Sequence, residues 1–194
     1  MKFGSQPRDG GHFILTPEER DEILRQEPEL DSVIMRYMGA DEFIKGKERY
    51  CIWLHNAPFE IIKNSKILKE RIAAVEKFRL ESKAKTTNAY AKTPAIFAQI
   101  AHPYSDYLII PSVSSERRRY IPIGFLDKHT IASNAVQIVP NATLYHFGIL
   151  TSNVHMAWMR TVAGRLEMRY RYSKELVYNT CLLYTSPSPR DYAA

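Results

Sequence analysis

The sequence predicts an α+β fold in which antiparallel strands pack on a long central helix and the N-terminal part is helical. Two patterns carry this prediction. Between residues 107 and 139, short runs of β-branched and aromatic residues alternate with turn-forming residues, which is typical of antiparallel strands. From residue 147 onwards, apolar residues recur at helical spacing, which indicates a buried helix. With 194 residues, 45% of them hydrophobic, the chain can form one domain with its own core.

The N-terminal region is expected to contain short packing elements. Residues 1–11 hold little that could pack alone, so we expect a fragment edge there and one domain over residues 12–180. Thr16, followed by proline and two acidic residues, predicts a helix that runs to about Gln26. A second helix is predicted over residues 31–38, with Gly39 as its stop. Short strands are predicted at residues 12–15 and 48–54.

Residues 59–83 predict one amphipathic helix with a strongly basic surface. The excess of cations favours contact with phosphates, and Lys66 and Lys69 are the candidate residues. A solvated face is the alternative, because Glu70 and Glu76 can pair with neighbouring cations along the helix. The polar stretch that follows, residues 85–94, is predicted to be a loop.

The strand-rich section predicts an antiparallel meander with a polar connection. Strands are expected at residues 107–110, 119–125 and 136–139, with a turn near Asn134. The connection after the first strand supplies hydroxyl and guanidinium groups that suit phosphate oxygens. These candidate phosphate contacts are Ser114, Ser115, Arg117 and Arg118. A hydroxyl-rich hairpin tip is the alternative interpretation.

Residues 147–173 predict a long buried helix, a stop at Gly164 and then one amphipathic strand. The two-residue period of a strand places the charged side chains on one face and the apolar ones on the other. The charged face comprises Arg165, Glu167, Arg169 and Arg171, and the apolar face comprises Leu166, Met168, Tyr170 and Tyr172. A solvated strand with internal ion pairs is the alternative to a binding face. His155 has no second ligand at metal spacing, so we expect a satisfied core histidine.

The formal net charge of +6 favours an anionic partner. Nucleic acid is the commonest such partner, although an acidic protein or a membrane surface would also fit. No apolar run approaches the roughly 20 residues that a membrane span needs. Cys51 and Cys181 lack the spacing of a zinc site or a disulfide framework, so a reducing cytoplasm is expected.

One short motif suggests a catalytic alternative. Asn56-Ala57-Pro58-Phe59 follows a predicted strand, as the Asn/Asp-Pro-Pro-Tyr/Phe motif of adenine amino-methyltransferases does. Its second position is alanine, and no glycine-rich strand–turn–helix for the methyl donor precedes it. A turn in which proline opens the next helix is therefore the favoured interpretation.

Several ordered blocks of the chain are similar to one known family. They are RYCIWL at residues 49–54, PSVSSERRRYIP at 111–122, FGILTSNVHMAWMR at 147–160, GRL at 164–166, YRYS at 170–173 and VYN at 177–179. Over roughly residues 12–180 the chain resembles the target-recognition region of the MmeI-like enzymes. These are single-chain type II restriction–modification proteins and related DNA adenine methyltransferases.

The last residues predict an artefact. In the family, VYN leads into an Asn-Phe-Pro-Trp-Pro run, whereas Thr180-Cys181 stands here. The segment CLLYTSPSPRD (residues 181–191) can be written in codons that match a transposase end and adapter used in sequencing-library preparation. We therefore expect residues 181–194 to be translated adapter and the native protein to continue differently.

The resemblance implies a parent enzyme that methylates adenine N6 with S-adenosylmethionine, either alone or fused to a restriction endonuclease. Its methyltransferase domain would lie upstream in the same chain. The present chain would bind double-stranded DNA and select the sequence, without catalytic or cofactor-binding residues of its own. A bacterial or phage origin and a cytoplasmic location are implied.

The resemblance also implies which side chains contact bases. Carried over residue by residue, they are Glu167, Arg169 and Arg171, together with the turn residues Asn134 and Ala135. Glutamate can accept from cytosine N4 while arginine donates to guanine O6 and N7, so the first two suit one C·G pair. Many relatives carry Lys and Asp at these two positions. Arg165 is a candidate phosphate contact, and Arg171 also fits a structural or phosphate role.

Two other functions compete with this interpretation. The first is part of a methyltransferase catalytic domain that uses residues 56–59. The second is a protein-interaction module with a basic face.

Overall fold

The computed structural model describes residues 1–181. Its α-helices are α1 (Pro17–Gln26), α2 (Ala40–Lys45), α3 (Phe59–Asn64), α4 (Lys66–Leu80), α5 (Lys85–Ala89), α6 (Leu144–Leu150) and α7 (Asn153–Val162). Two 3-10 helices, Pro28–Val33 and Tyr90–Lys92, and a π-helix, Lys174–Tyr178, complete the helical elements of the described residues.

The strands are β1 (Lys2–Phe3), β2 (Ile14–Leu15), β3 (Ile34–Met38), β4 (Tyr50–Ile52), β5 (Tyr107–Pro111), β6 (Val113–Ser114), β7 (Gly124–Leu126), β8 (Thr130–Ala132), β9 (Val136–Pro140), β10 (Gly164–Leu166) and β11 (Arg169–Arg171). Helices together with mainly antiparallel sheets confirm the α+β class. Between residues 1 and 181, every helix is too short or too polar to cross a bilayer.

The chain folds into two compact units. The first unit contains Met1–Phe3, Pro103–Lys128 and the described residues from Ala135 onwards. The second unit contains Gly4–His102 and His129–Asn134. The segment predicted as a fragment edge, residues 1–11, contributes β1 to the first unit and a hydrogen-bonded stretch with a buried Asp9 to the second.

The second unit is built on a four-stranded sheet in the order β2-β4-β3-β8. Strand β3 pairs antiparallel with β4 and parallel with β8. The core beside this sheet contains Phe13, Leu15, Leu30, Val33, Ile52, Trp53, Leu68, Val75, Phe97 and Ile131, all of them buried. The predicted strands at residues 12–15 and 48–54 are confirmed as β2 and β4.

The two N-terminal helix predictions had different outcomes. Helix α1 is confirmed, and its capping box is complete, because Thr16 Oγ1 accepts from Glu19 N and Glu19 Oε2 accepts from Thr16 N. The predicted helix over residues 31–38 is wrong, since a 3-10 helix ends at Val33 and β3 follows. The pattern fitted helical spacing, but pairing on both sides with neighbouring strands decided the structure. Gly39 precedes α2, where its N–H donates to Glu42 Oε2.

The predicted helix over residues 59–83 is two helices. Ser65 separates α3 from α4, and its Oγ accepts from Leu68 N at 2.9 Å as the cap of α4. Helix α3 begins directly after Pro58, which confirms the turn at residues 56–59. The predicted loop over residues 85–94 is instead helical, as α5 and the 3-10 helix Tyr90–Lys92.

Arg79 of α4 is buried and does not belong to the basic surface predicted for this segment. Its guanidinium donates to five main-chain carbonyl oxygens, at 2.8–3.0 Å. The acceptors are the carbonyls of Pro7, Arg8, Tyr90, Thr93 and Ile96. Burial lowers the pKa of Arg79, yet a guanidinium stays charged at any ordinary pH. One side chain therefore joins the N-terminal segment to the chain that follows α5.

The first unit contains two sheets. In the four-stranded sheet, order β1-β9-β5-β7, all pairs are antiparallel and β5 is flanked by β9 and β7. The expected meander is therefore not sequential, although the predicted strands at residues 107–110 and 136–139 are confirmed. The three-stranded sheet has the order β10-β11-β6. The core of the first unit includes Leu108, Ile110, Ile121, Val139, Leu150, Met156, Met159, Tyr170, Tyr172 and Val177.

The long central helix is divided into α6 and α7. Thr151 ends the first, and Ser152 caps the second by accepting from His155 N at 3.1 Å. The apolar period continued across this break, but a serine that bonds its own downstream main chain competes with helix continuation. Gly164 is the first residue of β10 and not a helix stop, because α7 ends at Val162 with an extended Ala163.

We expect Arg79→Met to lower the free energy of unfolding by about 3–5 kcal/mol, because five main-chain carbonyls lose the donor that the buried guanidinium supplies. Arg79→Lys should also destabilise, since an ammonium offers only three donors. Urea unfolding measures both changes. Lys77→Met, an exposed change in the same helix, is the control and should stay within about 0.5 kcal/mol of the wild type. A loss below about 1 kcal/mol for Arg79→Met would contradict this account.

Candidate nucleic-acid interface

The segment predicted as one amphipathic strand is a β-hairpin. Strands β10 and β11 pair antiparallel, with Leu166 opposite Arg169 and Gly164 opposite Arg171. Glu167 and Met168 form the two-residue loop, and Glu167 has a positive φ of 56°. A positive φ at the first loop residue is typical of a type II′ turn, which normally has glycine there. Because glutamate gives no such signal, the sequence pattern missed the chain reversal.

The hairpin changes which side chains share a face. Residues directly opposite on paired strands project to the same side, as do residues two apart on one strand. Leu166, Arg169 and Arg171 therefore lie on one face. Arg165 lies on the opposite face with Tyr170, so the prediction that it joins the other charged residues is wrong. Leu166 and Met168 are exposed, whereas Tyr170 and Tyr172 are buried as predicted.

Glu167 and Arg169 form an ion pair at the hairpin tip. Arg169 Nη2 lies 2.9 Å from Glu167 Oε2, and the two side chains are 47% and 77% exposed, respectively. Exposed pairs of this kind contribute less than about 1 kcal/mol, so their groups can exchange partners easily. The Arg171 guanidinium is exposed and has no hydrogen-bond or ion-pair partner among residues 1–181. The tip thus offers one acceptor and two strong donors.

Arg165 supports the hairpin from its other face. Its Nη1 donates to the carbonyl of Met168 at 3.1 Å, and its guanidinium carbon lies 3.9 Å from the centroid of the Tyr170 ring. A cation over an aromatic face is attracted by about 0.5–1 kcal/mol at an exposed site. These two contacts hold the loop main chain against a buried tyrosine.

Main-chain hydrogen bonds bring the Ala135 turn to the base of the hairpin. Ser112 N donates to the carbonyl of Ala135 at 3.4 Å, and Tyr172 N donates to the carbonyl of Ser112 at 2.9 Å. Gln137, whose side chain is buried, donates to the carbonyl of Tyr172 at 2.7 Å. Asn134 and Ala135 are both exposed. Two of the predicted base-contacting segments therefore meet in the first unit at Ser112, a residue that the sequence pattern did not single out.

The loop after β6 presents some of its predicted phosphate contacts and hides another. Arg117 and Arg118 are exposed, and Ser115 Oγ accepts from Arg117 N at 3.3 Å, which fixes the turn. Ser114 is buried opposite Tyr170 in β6, and its hydroxyl has no partner among the described residues. Arg117 makes only a 3.8 Å exposed pair with Glu116, so both guanidiniums can reach an anion.

Lys66 and Lys69 lie at the start of α4, in the second unit. Both are exposed, and Lys66 Nζ lies 3.8 Å from Glu70 Oε1, as the alternative of local pairing expected. Arg71 is not part of a free basic face, because its Nη1 donates to the carbonyl of His12 at 2.6 Å.

Comparison with known proteins agrees with this geometry. A family profile described as "MmeI, target recognition domain" matches residues 1–184. The chain belongs to the MmeI target recognition domain family. The sequence resemblance to this family is thereby confirmed.

Two relatives extend the comparison of this target recognition domain. DNA methyltransferase A of Bacillus subtilis (strain 168) is 42% identical over 181 residues, which is 93% of this chain and 20% of the relative. A solved structure of the Type IIL restriction-modification enzyme MmeI in complex with DNA is 46% identical, with a TM-score of 0.89. The match covers 92% of this chain and 24% of that one. The chain thus spans about a fifth to a quarter of the length of these relatives.

His155 anchors Tyr172, the residue that directly follows the hairpin of the target recognition domain. It is fully buried, and its Nε2 lies 2.9 Å from Tyr172 Oη while its Nδ1 lies 3.2 Å from Cys181 Sγ. A neutral imidazole has one donor and one acceptor, which suits two hydroxyl- or thiol-type neighbours. The expected core histidine is confirmed. Among residues 1–181, no three His, Cys, Asp or Glu side chains gather to hold a metal ion.

Cys181 is also the first residue of the predicted adapter tail. It is buried against His155, and residues 182–194 lie outside the described part of the chain. The adapter origin of the tail stays a prediction.

The burial of His155 predicts a pH-dependent stability. Burial lowers the pKa of His155 from 6.5 to about 4, so the folded state prefers the neutral ring. The resulting stability is present above about pH 6.5 and is lost as the pH falls towards 4. Between pH 7 and pH 4.5, urea unfolding should show about 2–3 kcal/mol more loss for the wild type than for His155→Gln. Carboxylates titrate in both proteins and cancel, and equal losses would contradict the assignment.

Proposed function

We propose that this chain is the DNA sequence-recognition module of a site-specific, S-adenosylmethionine-dependent DNA adenine-N6 methyltransferase, either alone or fused to a restriction endonuclease. The exposed Glu167–Arg169 pair on a supported hairpin, in a member of this family, is the observation that carries the proposal. The relatives named as a DNA methyltransferase and a restriction-modification enzyme bound to DNA support it.

The hairpin tip suits one C·G base pair. Arg169 would donate to guanine O6 and N7, and Glu167 would accept from cytosine N4. These two base edges are neighbours in the major groove, and the ion pair already holds the matching donor and acceptor 2.9 Å apart. Each good contact of this type gives roughly 1–3 kcal/mol of discrimination. Arg171, Asn134 and Ala135 would contact the adjacent positions.

The surrounding cations would hold the phosphate backbone. Arg117 and Arg118 are the best placed, because they are exposed in the same unit as the hairpin, and Ser115 shapes their turn. Lys66 and Lys69, which are exposed on the second unit, are proposed as phosphate contacts of that unit alone. Ser114 is buried in β6 opposite Tyr170 and Arg165 already supports the loop, so we assign these two to the support of the hairpin.

Catalysis and cofactor binding are placed outside this chain. The adenine-specific chemistry and the S-adenosylmethionine site would belong to an upstream methyltransferase domain of the same protein, in a bacterial or phage cytoplasm. Residues 56–59 support this division, because they form an exposed turn in which Phe59 is 71% exposed, and not an enclosed pocket that could stack on a flipped base.

Exchanging the charges at the tip should change the recognised sequence. In the full-length protein that contains this chain, Glu167→Lys with Arg169→Asp should convert a C·G preference to G·C at one position while methylation continues. Methylation-sensitive sequencing measures the modified sites. Exchanging another exposed pair, Glu22→Lys with Arg25→Asp, is the matched control and should leave the sites unchanged. If the Glu167–Arg169 exchange leaves the set of methylated sites unchanged, these two residues do not contact the proposed C·G pair.

The phosphate contacts should appear in the salt dependence of binding. The logarithm of the DNA-binding constant of the chain falls linearly with the logarithm of the salt concentration. Arg117→Gln and Arg118→Gln should each make this negative slope shallower by about 0.9. Fluorescence anisotropy over a salt series measures the slope, and Arg25→Gln, in the second unit, serves as the control. A slope that both loop variants leave unchanged would contradict their role. Binding without salt dependence, or no DNA binding, would favour the protein-interaction module.

A further inference from the structure

We propose that Leu166 contacts the 5-methyl group of a pyrimidine beside the C·G pair, so that recognition depends on pyrimidine methylation at one neighbouring position. This inference rests on the proposed function and adds a substrate feature to it. The charged residues of the hairpin account for hydrogen bonds to bases, whereas Leu166 supplies an apolar contact.

The register of the hairpin fixes where Leu166 lies. It is directly opposite Arg169 in the β10–β11 ladder, and direct partners project to the same face. Arg171 is on that face too, two residues along β11. The leucine therefore stands among the base-contacting groups and not on the buried side, which carries Tyr170.

Leu166 is 45% exposed. Much of its apolar side chain is thus in contact with water. Burying that surface against another apolar group would be favourable. Base edges in the major groove offer one such group, the 5-methyl of thymine, and a methylated cytosine presents the same methyl. The exposed acceptor and donors around the leucine match the polar atoms of the groove, so a base-pair surface complements the whole face.

The distances favour a base pair next to the one that Arg169 contacts. The Cβ atoms of directly opposite residues are about 4.5–5.5 Å apart. Successive base pairs are separated by about 3.4 Å along the duplex. If the roughly 4.5–5.5 Å between the two Cβ atoms lies along the duplex axis, Leu166 is one to two base pairs away from the guanine that Arg169 contacts.

The support of the hairpin keeps this displacement constant. Arg165 bonds the carbonyl of Met168 and stacks on Tyr170, so the loop main chain is held from the opposite face. Strand β11 is in turn paired with β6 on its other edge. Leu166 therefore has a defined position relative to Arg169 before DNA is bound.

The experiment begins with the full-length protein that contains this chain and random duplexes, from which sequencing of the bound fraction gives the preferred site. Each thymine in that site is then replaced by deoxyuridine and each cytosine by 5-methylcytosine, and affinities are measured by anisotropy. At one pyrimidine within two steps of the C·G pair, the 5-methyl form should bind about fourfold more tightly, as burial of one methyl group predicts. Leu166→Ala should reduce this ratio to about one while the preference for C·G remains. Leu166→Met should retain most of it.

The matched control is Leu176→Ala, which removes a leucine of similar exposure, 55%, from the π-helix Lys174–Tyr178. It should keep the fourfold ratio. If the wild type selects a sequence but no methyl group matters, or if Leu166→Ala keeps the ratio, the role of Leu166 is overturned and the proposed function stands. If the wild type selects no sequence, both are overturned.

Discussion

The two-residue turn at Glu167 and Met168 is the constraint on which the candidate interface depends. Side chains alternate along each strand, so the position of the reversal decides which residues share a face. Because Leu166 is opposite Arg169, the side chains of Arg169 and Arg171 lie on one face of the hairpin and Tyr170 lies on the other. A left-handed glutamate costs roughly 1–2 kcal/mol. The ion pair to Arg169 and the support from Arg165 offset part of that cost.

Buried polar groups attach this hairpin to the first unit. The His155 ring meets the Tyr172 hydroxyl, and the Gln137 amide donates to the Tyr172 carbonyl, so both ends of one residue are fixed. Ser112 accepts from Tyr172 N and donates to the carbonyl of Ala135, so it links Tyr172 to the Ala135 turn. Arg79 fixes the second unit in a similar way, because its guanidinium donates hydrogen bonds to five main-chain carbonyls. Directional bonds of this kind specify one arrangement, which apolar burial alone does not.

The sequence predicted the elements whose signals are local. The Thr16 cap, the two strands at residues 107–110 and 136–139, and the core histidine all follow from near neighbours in the chain. The sequence pattern gave the wrong element where pairing with distant strands decides the structure. Residues 31–38 were predicted as a helix, but β3 in this segment pairs with a strand on each side. The hairpin was missed because glutamate takes the glycine position of its turn. The face of Leu166 and Arg165 could not be predicted without that reversal, whereas the family blocks did identify the family.

The turn also limits which residues could make the proposed base contact at position 167. Substitutions at position 167 should change stability little, because the Glu167 side chain is 77% exposed and exposed ion pairs contribute little. The positive φ selects among them, however. Unbranched Lys or Gln tolerates that conformation about as well as Glu, and Asn or Asp better, whereas Val, Ile and Thr are strongly disfavoured there. Residues with long polar side chains are also those that can reach base edges. The backbone conformation and the proposed base contact therefore favour the same small set of side chains at position 167.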